Sequence, residues 1–303
     1  MSKILVTGGS GLVGTHLKKY LPHATYVSSK QFDLTNELDV IRLFETKWDV
    51  IIHLAAKVGG ILENSANQGT FFEQNVLMNT LILKHARLNK VPKLISTLST
   101  CMYPDIVPRY PMTLSDVHMG PPAATNFSYG YAKRSLAVQI DSYNSQWGLN
   151  WFYIVPCNLY GEGDKDSEYK SHFVTALIKK IYLARSNNKS SITLFGDGTP
   201  LRQFIHADDL ARIIELTLAR NVSESFNFAP NESLSIKQIA NIAINSTGTP
   251  LDIEFDTSKP NGQMRKDVSA DDVRRLFPDF QFTPLTDGIK KVYEFYEKNK
   301  LSI

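Results

Sequence analysis

The sequence predicts an α/β protein: a doubly wound parallel sheet with helices on both faces, followed by a smaller α/β region in the C-terminal half. Three observations carry that expectation. Strand-like and helix-like segments alternate through the first half of the 303 residues, the pattern that yields parallel strands joined by crossover helices. Residues 49–56 (DVIIHLAA) are apolar without alternation, as a strand buried on both faces is. The first strand also runs into a helix through a glycine-rich turn, Gly8-Gly9-Ser10-Gly11-Leu12-Val13-Gly14.

In order, residues 3–7 (KILVT) are a short strand, and 12–20 open a helix. Residues 25–29 form the second strand, and Asp33-Leu34-Thr35 closes that unit. A helix over 36–46 starts on Thr35 or Asn36, either of which caps free amide groups. The strand at 49–56 leads to a long periodic helix at 70–89 and a buried strand at 93–99. Further on, a helix at 128–146 feeds a strand at 151–156, then a polar loop at 161–172 and a helix at 173–185. A Gly-Asp-Gly turn at 196–198 and a helix from near Ala207 follow. Residues 246–266 are rich in Thr, Pro, Gly and Lys without a strong period, and the last helix, 286–299, carries Ile289, Val292, Tyr293 and Phe295 on one side.

Composition narrows the function. Apolar residues make up 43% and charged residues 21%, ordinary for a soluble globular chain. The net charge of +3, from 33 basic against 30 acidic residues, is too small to argue for nucleic acid. Two cysteines, Cys101 and Cys157, set up neither a disulfide scaffold nor a zinc site. The opening MSKILVTGGSG turns polar too soon for a signal peptide, and no apolar run reaches the roughly 18 residues of a membrane helix. The sequons at Asn126, Asn221 and Asn231 then lack a secretory context. The chain reads as a cytoplasmic, enzyme-sized protein without a metal site.

The glycine turn points to a dinucleotide. Gly8 permits the tight turn, Gly11 lets the backbone approach a pyrophosphate, and Gly14 lets the helix pack on the strand. Free amides and the dipole at the helix start favour the anion. At the end of the second strand, where an NAD site usually has an acidic residue, the chain has Ser28-Ser29-Lys30. Hydroxyls and an ammonium suit a 2′-phosphate better, so NADP is the expected cofactor; the alternative reading of Lys30 is a solvated loop lysine.

Tyr129 and Lys133 stand four residues apart on a predicted helix, hence on one face. A free tyrosine titrates near 10, so acid–base work at neutral pH needs help, and a nearby lysine cation stabilises the phenolate. Tyr129 would protonate a ketone oxygen as hydride reaches carbon. Ser99, at a strand's C-terminal end where open α/β sheets bind ligands, is placed to hydrogen-bond that oxygen. Tyr131 lies two residues from Lys133, off that face, and is assigned to packing. Taken by itself, Cys101 reads as a small core residue and His172 as a solvated loop residue.

Behind such a loop and pair, the chain resembles the extended short-chain dehydrogenase/reductase family over essentially its whole length. The segments that carry this are 7–14 (TGGSGLVG), 53–60 (HLAAKVGG), 98–104 (LSTCMYP), 129–133 (YGYAK), 156–161 (PCNLYG), 171–172 (SH) and 200–206 (PLRQFIH). Residues 58–60 and 99–101, with His172, are most similar to its GDP-L-fucose synthase branch. The resemblance implies a Rossmann-type NADP(H) half at 1–156 and a nucleotide-sugar half at 157–303, interleaved with late strands of the sheet. It implies a cofactor site of Gly8, Gly9, Ser10, Gly11, Leu12, Val13, Ser29, Lys30, Asp33, Leu34, Leu54, Ala55, Ala56 and Pro156, joined by Tyr129, Lys133 and His172. Ser99, Tyr129 and Lys133 become the reductase residues, and Cys101 and His172 the acid–base pair for epimerising carbons beside the ketone. Ser99 and Asn158 would face the sugar, Arg202 and Lys266 the diphosphate. The implied reaction is NADPH-dependent reduction of a GDP-linked 4-keto-6-deoxy sugar after epimerisation, by a homodimer formed through the Tyr129 helix and the helix before it. Loop 161–170 (GEGDKDSEYK) departs from the family's usual Gly-Pro-His-Asp-Asn. That keeps open a dedicated C4 reductase, on a hexose or a heptose. A non-catalytic NADP sensor on the same fold is disfavoured by the intact Ser99, Tyr129 and Lys133.

Overall fold

The computed structural model describes residues 2–164, 172–259 and 261–299. The first half alternates as expected: β1 (Ile4–Thr7), α1 (Leu12–Leu17), β2 (Thr25–Val27), α2 (Glu37–Leu43), β3 (Val50–His53), α3 (Ile61–Ala66), α4 (Gln68–Leu88), β4 (Lys93–Thr97), α5 (Phe127–Trp147) and β5 (Phe152–Pro156). The second half holds β6 (Asn158–Tyr160), α6 (Phe173–Ser186), β7 (Ser191–Phe195), β8 (Leu201–Arg202), β9 (Phe204–His206), α7 (Ala207–Ala219), β10 (Phe226–Phe228), β11 (Leu234–Ser235), α8 (Ile236–Thr247), β12 (Asp252–Asp256), α9 (Asp271–Leu276) and α10 (Leu285–Asn299).

Six strands form one parallel sheet in the order β10-β5-β4-β3-β1-β2. Leu5 pairs with Ile51, Ile51 with Leu94, and Ser96 with Tyr153. Leu5, Val6, Ile51, Ile52, Leu94 and Ile95 are fully buried, so the sheet is sealed on both faces, each such side chain contributing about 2 kcal/mol of burial free energy. Asn36 caps α2 by accepting from the Leu38 amide, with Glu37 and Asp39 in the first turn, a favourable pairing of acids with a helix start. α5 ends on Gly148 in the left-handed conformation, φ +63°, where a side chain is disfavoured.

Several boundaries are tighter than the sequence suggests. Helix 12–20 stops at Leu17 and tightens into three-residue turns, Lys19 to His16 and Tyr20 to Leu17. Strand 49–56 pairs only through His53, and Leu54 and Ala55 beyond it lie against Gly8 of the glycine loop. Residues 246–266 contain β12, paired with β7 alone and facing solvent on part of its length, which is why no period shows. In α10 it is Tyr296, not Phe295, that joins Ile289, Val292 and Tyr293 in the core.

A second core, separate from the one around the sheet, gathers Val174, Leu177, Ile178 and Ile181 of α6, Ile239 and Ala243 of α8, and Ile289 and Val292 of α10. The chain passes between the two cores more than once, because α7 packs on α1 and β10 completes the large sheet. A buried polar cluster pins that crossing. His16 lies between Asp208 Oδ1 (3.3 Å) and the Glu162 carbonyl (3.1 Å), Tyr20 donates to Asp208 at 2.6 Å, and His206 Nε2 stands 2.9 Å from Glu162 Oε2.

Candidate active site

The glycine loop is shaped by what it lacks. Gly8 has φ +72°, and a Cβ there would sit 2.8 Å from the Ala55 nitrogen; a Cβ on Gly14 would sit 2.6 Å from the Gly8 oxygen. No L-residue fits either place. Gly11 caps α1 with no side-chain hydrogen bond, so the first amides of the helix face an open cradle, which fits a dinucleotide diphosphate. Ser10 is exposed at its lip, and Leu12 and Val13 are half-buried. Ser29 and Lys30 are exposed just past β2, with the Ser28 amide and hydroxyl turned onto Gln31. The nearest acid along the chain, Asp33, is occupied: its carboxylate accepts from both the amide and the hydroxyl of Thr35, which hold it below the usual carboxylate range. The rim at the end of β2 therefore offers hydroxyls and an ammonium, the donor set that suits a 2′-phosphate. Leu34 is buried beneath it, and Pro156 closes β5 beside Phe228.

Ser99, Cys101, Tyr129 and Lys133 come together at the C-terminal ends of β4 and β5. Past Thr97 the chain leaves β4 and turns through a short 3-10 helix, 100–102, with Ser99 as its cap; Ser99 Oγ accepts from the Cys101 amide at 3.2 Å. α5 lies against this turn because residue 130 is glycine: a Cβ there would run into the Cys101 carbonyl and stand 2.7 Å from Pro122. Arg134 locks the same turn by donating to the carbonyls of Met102 and Gly120. Lys133, only 3% exposed, donates to the Thr97 carbonyl at 2.9 Å and lies 5.9 Å from the Tyr129 ring centre. Burial lowers its pKa to about 8, against the pull of the Cys101 charge. Burial raises the Tyr129 phenol above its ordinary value, the Cys101 charge adds to this, and the Ser99 hydroxyl opposes it. The phenol thus holds its proton, as a donor must. Tyr131 packs edge-on to Phe127 and under Arg134.

The remaining residues fall into two groups. Lys266, 7% exposed, donates to Cys101 Sγ at 2.9 Å, and Arg202 is a further cation acting on that sulfur. His172 stands apart, capping α6: its amide and Nδ1 both lie 3.0 Å from Asp164 Oδ2. A carboxylate only accepts, so Nδ1 carries the proton and Nε2 is the exchangeable position. Asn158 donates to the Gln203 carbonyl at 2.9 Å, and Gln203 in turn bridges Pro230 and Val268. Sequence reasoning missed Thr97, Asp164 and Gly130; only Gly130, inside the tyrosine–lysine motif, left a readable signal. Residues 165–171, most of the divergent loop, lie outside the described residues.

Residues 4–229 match the NAD dependent epimerase/dehydratase family. The chain belongs to that family. Within it, the chain is 35% identical to the GDP-L-fucose synthase of Dictyostelium discoideum, over 98% of this chain and 95% of that one. It is 34% identical to the probable GDP-L-fucose synthase of Drosophila melanogaster, over 99% and 98%. Among solved family members, the Naegleria fowleri GDP-L-fucose synthetase bound to NADP superposes with a TM-score of 0.89 at 33% identity, covering 99% of this chain and 93% of that one. A GDP-mannoheptose C4 reductase of Campylobacter jejuni with NADP bound gives 0.86 at 27% identity, covering 98% of each. The six-stranded parallel sheet with its helices matches the fold of the NADP-bound Naegleria fowleri neighbour.

Proposed function

We propose that this protein uses NADPH to reduce the C4 ketone of a GDP-linked 4-keto-6-deoxy sugar, after epimerising the carbons beside that ketone. The observation that carries the reading is the convergence of Ser99, Tyr129 and Lys133 with Cys101 behind a cradle that only glycines permit. The glycine loop with Ser29 and Lys30 would hold NADP(H), which supplies the hydride when bound. Ser99 orients the ketone oxygen and Tyr129 gives it a proton; Lys133 is the cation beside the phenolate left behind. Before reduction the same two hydroxyls polarise the carbonyl and so acidify the neighbouring C–H bonds. Cys101 as thiolate takes that proton, and His172 Nε2, with its ring held by Asp164, returns one from the other face. Arg202 suits the diphosphate, since a planar guanidinium matches its oxygens.

Residues 157–303 are read as the substrate half, with β10 returned to the cofactor sheet. A homodimer through α4 and α5 is part of this reading: the two helices pack together and leave Leu77 and Val138 exposed, an apolar face that a second copy would cover. No helix among the described residues is long and apolar enough to cross a membrane. Both cysteines are free thiols, which accords with a reducing cytoplasm.

The second reading, a C4 reductase without epimerisation, is favoured by the likeness to the heptose reductase fold. One incubation separates the two: NADPH and GDP-4-keto-6-deoxymannose in heavy water, with the product weighed. Deuterium at C3 and C5 of a reduced product supports the epimerase-reductase. Reduction without ring deuterium leaves only the reductase, and no NADPH consumption overturns the hexose substrate.

A further inference from the structure

Lys266 is buried beside Cys101. Its segment is fixed on both sides, by bridges from Arg265 to Leu201 and from Val268 to Met112. The adjacent carboxylate, Asp267, is taken by Arg265 at 2.6 and 3.0 Å. An ammonium this deeply buried needs a counter-charge, and the acceptor the structure gives it is Cys101 Sγ at 2.9 Å. We propose that Lys266 is a positioning residue that holds Cys101 as a thiolate, so that the epimerisation base exists before any sugar arrives.

Every neighbour of the sulfur bears on this. Burial opposes the charge; Lys266, Ser99 and Arg202 favour it and together bring the thiol below its ordinary value. Tyr129 and Lys133 face it from α5, and the charge on sulfur raises the pKa of both. Cys157 is the internal contrast. It is buried, its sulfur reaches only the Asn158 carbonyl at 4.0 Å, and burial pushes its thiol far up.

The inference rests on Cys101 being the base, and its test needs no sugar. Iodoacetamide reacts with thiolates, so the alkylation rate of the intact protein between pH 5 and 10 reads the ionisation of partly exposed Cys101. Cys101→Ser identifies the signal, and buried Cys157 stays silent. The wild-type midpoint is expected below the ~8.5 of a free thiol. Lys266→Met should raise it by at least about one unit and slow alkylation at pH 7 about tenfold, with Lys266→Arg restoring much of the loss. A wild-type midpoint at or above ~8.5 overturns the proposal even if Lys266→Met fails to fold. An unchanged midpoint in a folded Lys266→Met does so too. A low midpoint together with no ring deuterium would keep the ion pair while removing the epimerase reading.

Discussion

The buried polar cluster between α1 and α7 and the one at the end of β4 are built on different rules. Around His16, Glu162, His206 and Asp208, charge answers charge. His16 lies between two acceptors, Asp208 also takes bonds from Tyr20 and Lys19, and Glu162 is set against His206. Burial alone would raise the Glu162 carboxyl, yet the His206 contact and its other partners hold it at about 2. His16, Glu162 and His206 bring ligand-type atoms within 4.8 Å of one another. His206 Nδ1, however, accepts from the Asp208 amide, which puts the ring's proton on Nε2 and turns it toward Glu162 rather than toward an ion. This is a staple between α1 and α7. At the end of β4 and the start of α5 the rule is different: a phenol, two ammonium groups and a sulfur sit together, and among the described residues none of the hydrogen-bond partners given for them is a carboxylate. A cluster whose charges balance stabilises the fold; one left short of acceptors waits for a substrate.

The strongest way to break that contrast is Tyr129→Phe. NADPH binding, followed by its fluorescence, should be retained, while reduction of the keto-sugar should fall by roughly 10³-fold. Because phenylalanine keeps the buried ring and removes only the hydroxyl that meets Ser99, the urea midpoint should stay near wild type. Turnover within tenfold of wild type would place the proton donor elsewhere.

The contrast also shows what could be read from residues alone. The sheet half was legible because strands buried on both faces advertise themselves, and because Gly8, Gly11 and Gly14 follow a strand and open a helix. Much of the second half was not: β6, β8, β9 and β11 are pairs of two or three residues, too short for any period. At the site, Tyr129 and Lys133 were visible through helical spacing. The Lys266 to Cys101 contact spans 165 positions, and no local pattern encodes a contact that distant. Resemblance offered Lys266 to the diphosphate and did not announce the contact its ammonium makes with Cys101 Sγ.

A smaller effect sharpens the structural side of the comparison. His53 is buried between the Thr7 hydroxyl and Asn79 Oδ1, and burial lowers its pKa to about 4 from an ordinary 6.5. Its folded value is depressed, so the unfolded chain binds the proton first. Stability is full above pH ~6.5 and is lost as pH falls toward ~4, by about 3 kcal/mol. Glu162 adds a second loss below that, from its ordinary 4.5 down to about 2. Urea midpoints at pH 7, 5.5 and 4 should therefore fall steeply in wild type and less steeply in His53→Gln. Parallel curves would mean that the ring is not carried neutral.

The smallest effect concerns the proposed cofactor rim past β2, where exposure bounds what a charge can do. Lys30 is solvent-exposed past β2, and Asp33, the nearest acid along the chain, is turned onto Thr35. A 2′-phosphate meeting Lys30 gains an ion pair in high dielectric, not a buried one, so the gain is on the order of 1 kcal/mol and falls with salt. Lys30→Ala should then weaken NADPH about five- to tenfold and leave NADH unchanged. The difference should shrink at high ionic strength, because the lysine acts through charge and not through shape. If both cofactors weaken equally, the lysine shapes the loop and reads no phosphate. If neither changes, the preference for the 2′-phosphate rests on Ser29 and its neighbouring backbone.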